Sequence, residues 1–269
     1  MLPYPNIDPV IIRKTIPYVG TLSIRWYSLA YIAGILLGWW IFAGEHKKRP
    51  IAGLTKKALD DMVMWAVGGI VLGGRLGYVL FYKPDYYLAN PGQVLRLWEG
   101  GMSFHGGMIG FILAFYLFCR KYRVDFAGVI DVLACVAPIG LFFGRIANFI
   151  NGELYGRVTA MPWGIVFPRG GDLPRHPSQL YEAGMEGVAL FILMMFLLKC
   201  TQARRKPLLL GGMFLTFYAC SRIAAECFRE PDEFLGTLFG FITMGQLLSL
   251  PMLALGLYLI FRKCPSKPS

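Results

Sequence analysis

Gly144-Arg-Ile-Ala-Asn-Phe-Ile-Asn-Gly-Glu-Leu-Tyr-Gly156 carries Arg145, Asn148, Asn151 and Glu153 out of the end of one of the most apolar parts of the chain, the block at about 126–150. Hydrocarbon does not accept such a cluster without a reason. A charged side chain near a bilayer centre costs about 2.5–3.5 kcal/mol on insertion scales, so an ionisable group inside a span is first a candidate functional residue.

Working outward, the chain has 269 residues, is 56% hydrophobic and has a mean hydropathy of +0.52. Its apolar residues come in long blocks, and roughly 20 such residues cross a bilayer as a helix. Seven blocks qualify, at about 22–43, 62–82, 103–119, 126–150, 179–198, 208–228 and 239–261. The sequence therefore predicts an all-α, polytopic integral membrane protein with about seven transmembrane helices. Residues 1–269 form one membrane-embedded catalytic domain in this reading, with no room for a separate soluble one. The first block runs on to Trp39, Trp40 and Phe42 without a small-residue cleavage box, so it reads as an uncleaved span.

The six cysteines (119, 135, 200, 220, 227 and 264) have no CxxC pairing and lie mostly in or beside apolar blocks, which assigns them to packing. A net charge of +11 raises the question of nucleic acid, but its placement points to topology. Of the 27 Lys and Arg, fifteen fall in the segments around 44–60, 120–125 and 199–207 and in the C-terminal tail with Arg262, Lys263 and Lys267. The positive-inside rule then puts the N-terminus outside and the C-terminus in the cytoplasm. The tail suits a surface of anionic lipid headgroups, and nucleic acid is excluded as a partner.

In that orientation the polar residues collect at the outer ends of the spans. Arg25 and Tyr27 open the first, Arg75 lies in the outer half of the second, His105 opens the third, and Arg145 to Asn151 close the fourth. Glu182 and Glu186 open the fifth, and Tyr218, Arg222 and Glu226 lie toward the outer end of the sixth. Four arginines at similar depth favour one shared cavity over scattered structural pairs. Simpler roles stay open: Arg222 and Glu226 have the i,i+4 spacing of a local ion pair, and Arg25 and Arg75 have the length to snorkel to the interface. Asp131 stands apart at the cytoplasmic start of the fourth span and reads as a cap or interface residue. Tyr31, Tyr78 and Trp98 read as interfacial or packing aromatics. The many glycines between Gly68 and Gly144 suit close helix approach. Gly106-Gly107 directly follows His105, where backbone N–H groups can also face an anion.

Several chemistries drop out. His46 lies on the cytoplasmic side, and His105 with His176 makes a poor zinc site, so no metal or other cofactor is expected. There is no GxSxG, and Gly171-Asp172 lies in a loop, which disfavours proteolysis. Guanidinium groups gathered with Asn and Tyr match phosphate oxygens instead, and the abundant phosphate at an outer leaflet is a lipid headgroup. Such a cavity also stabilises charge that develops on a leaving phosphate ester. An anion or lipid transporter is the rival class; it calls for inverted repeats and interrupted midplane helices, and neither is evident. A structural protein that binds the lipid without turnover is a second alternative.

These residues resemble the prolipoprotein diacylglyceryl transferases of bacteria over nearly the whole chain. Gly144 to Gly156 satisfies every fixed position of the family signature G-R-x-G/A-N-F-x-N-x-E-x-x-G. Further similar blocks are Trp26-Tyr27, Gly73 to Tyr82, Gly100 to Gly107, Arg175 to Glu182, Arg222 to Asp232 and Met244-Gly-Gln246. The resemblance implies transfer of the diacylglyceryl group of phosphatidylglycerol to the lipobox cysteine of a preprolipoprotein signal peptide, on the outer side of the bacterial cytoplasmic (inner) membrane. It implies that Arg145 and Arg222 hold the lipid phosphate and stabilise the leaving group, while Asn148, Asn151 and Glu153 shape the pocket. Tyr27 and Tyr218 would orient headgroup or glycerol oxygens, and Gly156, Glu226 and Arg75 complete the lipid-binding set. His105 is either the base that takes the thiol proton or a positioning residue, with the arginine field lowering the thiol pKa. Arg25 and Ser28 stand where relatives commonly have His and Gly, Cys227 where Phe is common, and the loop from Arg157 to Arg175 is short.

Overall fold

The computed structural model describes residues 2–5, 7–16, 20–97, 100–230, 237–238 and 242–263. Trp98, Asp232, Cys264 and Lys267, singled out above, lie outside the described residues. The chain is mostly helical. Two compact units are distinguished, one from residues 1–44 and 130–269, the other from 45–129.

The first unit begins with an antiparallel hairpin of β1 (Val10–Ile16) and β2 (Gly20–Arg25). This corrects the expected start of the first span at about 22: the strand runs through Arg25, and the helix α1 (Trp26–Lys48) starts one residue later. Arg25 is therefore a strand residue. Helix α5 (Phe126–Ile150) carries the quoted stretch, and a Cβ on Gly34 of α1 would lie 3.2 Å from Gly140 Cα of α5, so these two helices cross at small residues. The block at 179–198 is a composite: a short α6 (Ser178–Glu182), a π-helical turn at Ala183–Ala189, then α7 (Leu190–Cys200). Helix α8 (Leu209–Glu226) packs on α9 (Met244–Phe261), where a Cβ on Gly212 would lie 2.8 Å from Leu259 Cβ. A two-stranded ladder, β3 (Thr237–Leu238) with β4 (Ile242–Thr243), leads into α9, which opens on a capping box of Thr243 and Gln246.

Asp131 is a cap, but of another helix. From the second turn of α5 its Oδ2 accepts the Leu208 N–H and its Oδ1 the Gly211 N–H, both at 2.8 Å. Those are orphan donors at the start of α8, where Leu208 holds a left-handed φ of 62°.

In the second unit α2 (Lys56–Phe81) packs on α4 (Phe104–Tyr122), and between them lie α3 (Pro84–Ala89) and a 3-10 turn at Pro91–Leu95. The α2–α4 seam is a pair of small-residue ladders, Gly69/Gly73/Gly77 against Gly106/Gly110/Ala114. A Cβ on Gly77 would lie 2.7 Å from Gly106 Cα. The two backbones have no space for side chains there.

Among the described residues, five helices are long and apolar enough to cross a membrane: α1, α2, α5, the composite Ser178–Cys200, and α9. The blocks at 103–119 and 208–228 are also helical, but glycines with Arg120 and Lys121 dilute α4, and Arg222 with Glu226 dilutes α8. Gly77→Leu is expected to lower stability by about 1–3 kcal/mol through overpacking of the α2–α4 seam. Gly68→Ala, which faces open space, is the control that stays near wild type in thermal unfolding of the purified protein.

Candidate active site

The site is built where α5 ends. Its last turn presents Arg145 and Asn148, and the helix closes through Asn151 N–H to Ala147 O (2.9 Å), Gly152 N–H to Phe149 O (3.0 Å) and Glu153 N–H to Asn148 O (3.1 Å). Gly152, at φ 62°, is the left-handed residue that ends the helix. The turn returns Glu153 toward the asparagines: its Oε1 accepts Asn148 Nδ2 at 2.9 Å and Asn151 Nδ2 at 3.2 Å, and Gln179 Nε2 donates to its backbone carbonyl at 2.6 Å. Two asparagines are thereby oriented by one carboxylate oxygen. Tyr27 reaches this group from α1; its hydroxyl interacts with Asn148 and lies 3.3 Å from the Tyr31 hydroxyl.

Next to it is an ion network. Arg145 Nη2 lies 2.7 Å from Glu182 Oε2 and 3.2 Å from Glu186 Oε2. Arg222 Nη1 lies 2.6 Å from the same Glu182 oxygen, and Arg222 Nη2 pairs closely with Glu226 Oε1. Arg229 completes the set, 3.9 Å from Glu182 Oε2 and 4.0 Å from Glu226 Oε1. Tyr218, one helical turn before Arg222, interacts electrostatically with both Arg145 and Arg222 and with Glu182 and Glu186. The Glu182 and Glu186 side chains are 0% exposed, whereas Arg145 and Arg222 retain 16% and 13%. The carboxylates thus sit behind the arginines. Breaking one partner from a buried pair of this kind costs about 3–5 kcal/mol, because the other charge stays behind unpaired.

Of the expected lipid-binding residues, the first unit brings together Tyr27, Asn148, Asn151 and Glu153, and beside them Arg145, Tyr218, Arg222 and Glu226. The i,i+4 pair of Arg222 with Glu226 is present, but as one edge of the larger network. Glu226 also lies against the first turn of α9, where a Cβ on Gly245 would meet its Cδ at 2.7 Å. The sequence reading marked Glu182 and Glu186 only as span openers and did not single out Arg229. The available signal was acidic and basic residues at helical spacing, Glu182/Glu186 and Arg222/Glu226/Arg229. Glu186 lies within the π-helical turn, a rare element found mostly at functional sites.

Three of the expected positions are bonded within the fold. Gly156 is a backbone crossing point: its N–H donates to His176 O at 2.8 Å, and a Cβ there would lie 2.7 Å from His176 Cβ. Arg75, in the second unit, neither snorkels nor offers a phosphate contact. Its Nε donates to Val94 O (2.8 Å), Nη1 to Gly100 O (2.5 Å) and Gly101 O (3.2 Å), and Nη2 to Gln93 O (2.6 Å) and Arg96 O (3.1 Å). A guanidinium has five N–H donors, and all five are used; the group also lies over the Tyr87 ring at 5.2 Å. Gly106-Gly107 is not an anion nest either. Ser103 Oγ accepts the Gly106 N–H (3.2 Å) and Ser103 O the Gly107 N–H (2.9 Å). His105 sits exposed in that first turn of α4.

Beside the ion network is an apolar cavity of about 430 Å³ lined by Met161, Trp163, His176, Tyr181, Met185 and Phe228. Trp163 Nε1 donates to the Tyr181 hydroxyl at 2.7 Å, and that hydroxyl is hydrogen-bonded to His176 Nδ1 at 3.1 Å. Burial holds the His176 pKa below its ordinary 6.5. Tyr181, Met185 and Phe228 directly precede Glu182, Glu186 and Arg229, so the same turns carry the cavity wall and the charged network.

A sequence model of the prolipoprotein diacylglyceryl transferase family matches residues 14–262. The chain belongs to this family. It is 51% identical to a phosphatidylglycerol–prolipoprotein diacylglyceryl transferase of Rickettsia felis over 265 residues, covering 98% of this chain and 99% of the relative. A protein of that name from Rhodospirillum rubrum is 52% identical over 270 residues, covering 99% and 96% of the two chains. Another, from Paramagnetospirillum magneticum, is 52% identical over 260 residues, covering 96% and 94%.

Two outcomes follow. Arg75→Lys, which offers three donors in place of five, is expected to loosen residues 93–97 and 100–101 and to speed proteolytic nicking there at least several-fold. For His176, a lowered folded pKa means that its contribution to stability is complete above about 6.5 and is lost as pH falls through the folded value. Unfolding of the wild type between pH 7 and pH 5 should therefore show an acid-side decline that His176→Gln reduces.

Proposed function

We propose that this chain transfers the diacylglyceryl group of phosphatidylglycerol to the thiol of the lipobox cysteine of a prolipoprotein, with Arg145 and Arg222 holding the phosphate. Membership of the family supports the reaction. One observation supports the residues: a single carboxylate oxygen, Glu182 Oε2, draws Arg145 and Arg222 together at 2.7 and 2.6 Å while their side chains stay partly open. Two planar forks held side by side match the oxygens of a phosphodiester. The buried acceptors Asn151 Oδ1, Glu182 Oε1 and Glu186 Oε1, which accept no hydrogen bond among the described residues, suit a headgroup rich in hydroxyl donors. A charged network sharing its backbone with an apolar cavity suits an amphiphile.

In the step itself the cysteine sulfur attacks the glycerol carbon that bears the phosphate. The C–S bond forms, the C–O bond breaks with its electron pair passing to the phosphate oxygen, and the thiol proton passes to His105 where that residue is the base, or to water where it only positions. The arginines stabilise the charge that develops on the leaving glycerol phosphate. Asn148, Asn151 and Glu153 shape the headgroup site, Tyr27 and Tyr218 orient its oxygens, and Glu226 braces Arg222. His105 acts on the thiol, as base or by positioning. The reaction as written requires no metal or cofactor.

This reading extends to the membrane. Helices α4 and α8 span it together with the five longer apolar helices, giving seven spans in one membrane-embedded catalytic domain. The N-terminus lies outside, and the basic segments face the cytoplasm under the positive-inside rule. The active site then faces the outer side of the bacterial inner membrane.

The test gives purified protein phosphatidylglycerol and a lipobox peptide and looks for the diacylglyceryl thioether by mass spectrometry. Lack of product from folded, lipid-binding protein would sink the assignment. Arg145→Lys keeps the charge and loses the fork, and is expected to cut kcat/KM at least ~100-fold, a transition-state loss of about 2.7 kcal/mol. His105→Asn distinguishes its two roles: recovery at high pH indicates the base, and a pH-independent defect indicates positioning.

A further inference from the structure

The arginines of this site are not bare cations. Arg145, Arg222 and Arg229 are matched by Glu182, Glu186 and Glu226, so the formal charge of these six groups sums to zero. The compensation is also one-sided, since Glu182 and Glu186 are 0% exposed and Arg145 and Arg222 are the partly open partners. Glu182 is central: its Oε2 contacts Arg145 and Arg222 and approaches Arg229, whereas Glu186 shares Arg145 Nη2 with it and Glu226 holds the other terminal nitrogen of Arg222.

The transfer reading above gives this neutrality a purpose. The lipid substrate is a phosphodiester with one negative charge, and the released glycerol phosphate is a monoester whose second ionisation lies near pH 6, so it carries nearly two at pH 7. An uncompensated arginine trio would hold product more tightly than substrate, and release would limit turnover. We propose that Glu182 is a positioning residue and charge counterweight that pins Arg145 and Arg222 from their buried side and keeps affinity for the phosphate product low enough for release. Other charged or titratable groups facing it are Arg229, Glu186, Glu226 and Tyr218. With Glu182 neutralised, Glu186 and Glu226 still hold the two arginines, but the cluster carries one net positive charge.

The experiment compares wild type with Glu182→Gln and Glu182→Asp in the thioether assay, with glycerol phosphate added as the competing product. Gln keeps an acceptor at the same reach and removes the charge, so inhibition by glycerol phosphate is expected to strengthen about tenfold. In that variant kcat falls and KM for the lipid does not rise. Asp keeps the charge and withdraws the oxygen, so kcat falls without stronger product inhibition. Unchanged or weaker product inhibition in Glu182→Gln overturns the counterweight. If that variant does not fold, Glu226→Gln removes a charge from the other side of Arg222 and is read by the same two outcomes. Absence of thioether from the wild type would defeat the transfer reading itself, whereas turnover with unaltered product inhibition defeats only the counterweight.

Discussion

A carboxylate oxygen with no exposure, shared by guanidinium groups from two different helices, constrains this fold more tightly than any apolar contact does. Buried charges must stay paired. Glu182 Oε2 therefore ties the end of α5, through Arg145, to the end of α8, through Arg222, and the helix that carries Glu182 has to lie between them. Asp131 makes a second connection between the same two helices at the opposite end of α5, by accepting the first N–H groups of α8. With both ends of the α5–α8 relation defined by charge, the glycine crossings with α1 and α9 supply closeness and not direction.

The second unit solves the burial of a cation by a different route. Arg75 has backbone carbonyls where Arg145 has carboxylates, and five of them, from Gln93, Val94, Arg96, Gly100 and Gly101, surround one guanidinium. That segment leads into Ser103, whose N–H bonds to Gly74 O at 2.8 Å and whose hydroxyl caps α4 one turn from His105. The glycine seam between α2 and α4 keeps this entry close to the Arg75 turn. Within the unit, a residue first read as a ligand contact is thus an organiser of the chain that carries a proposed catalytic histidine.

Neutral pairing and open arginine faces are compatible features of one site. Full compensation by buried glutamates lowers the attraction for any anion, while the bidentate shape of the forks still discriminates phosphate from other groups. The shared turns of the ion network and the aromatic cavity add an apolar wall next to the charges. Under the proposed function, such a combination would suit a ligand that has a phosphate, hydroxyls and hydrocarbon together.

Much of this was legible in the residues. Block lengths, the polar cluster at Gly144–Gly156, the helical packing of the glycines and the family itself are properties of local composition and order, which hydrophobicity and motif spacing record directly. The β1–β2 hairpin escaped because its apolar residues merge with the first helical block. The use made of Arg75 escaped because backbone carbonyls leave no mark in a sequence. Glu182 was visible as an acidic residue, but its partners Arg145 and Arg222 are 37 and 40 positions away. By itself, then, the sequence determined that the chain is a helical membrane protein of this family with arginines at the ends of apolar blocks. Only the tertiary structure decided which charge meets which, because that pairing depends on how distant helix ends converge, and a buried ion accepts whatever partner that convergence places within about 3 Å.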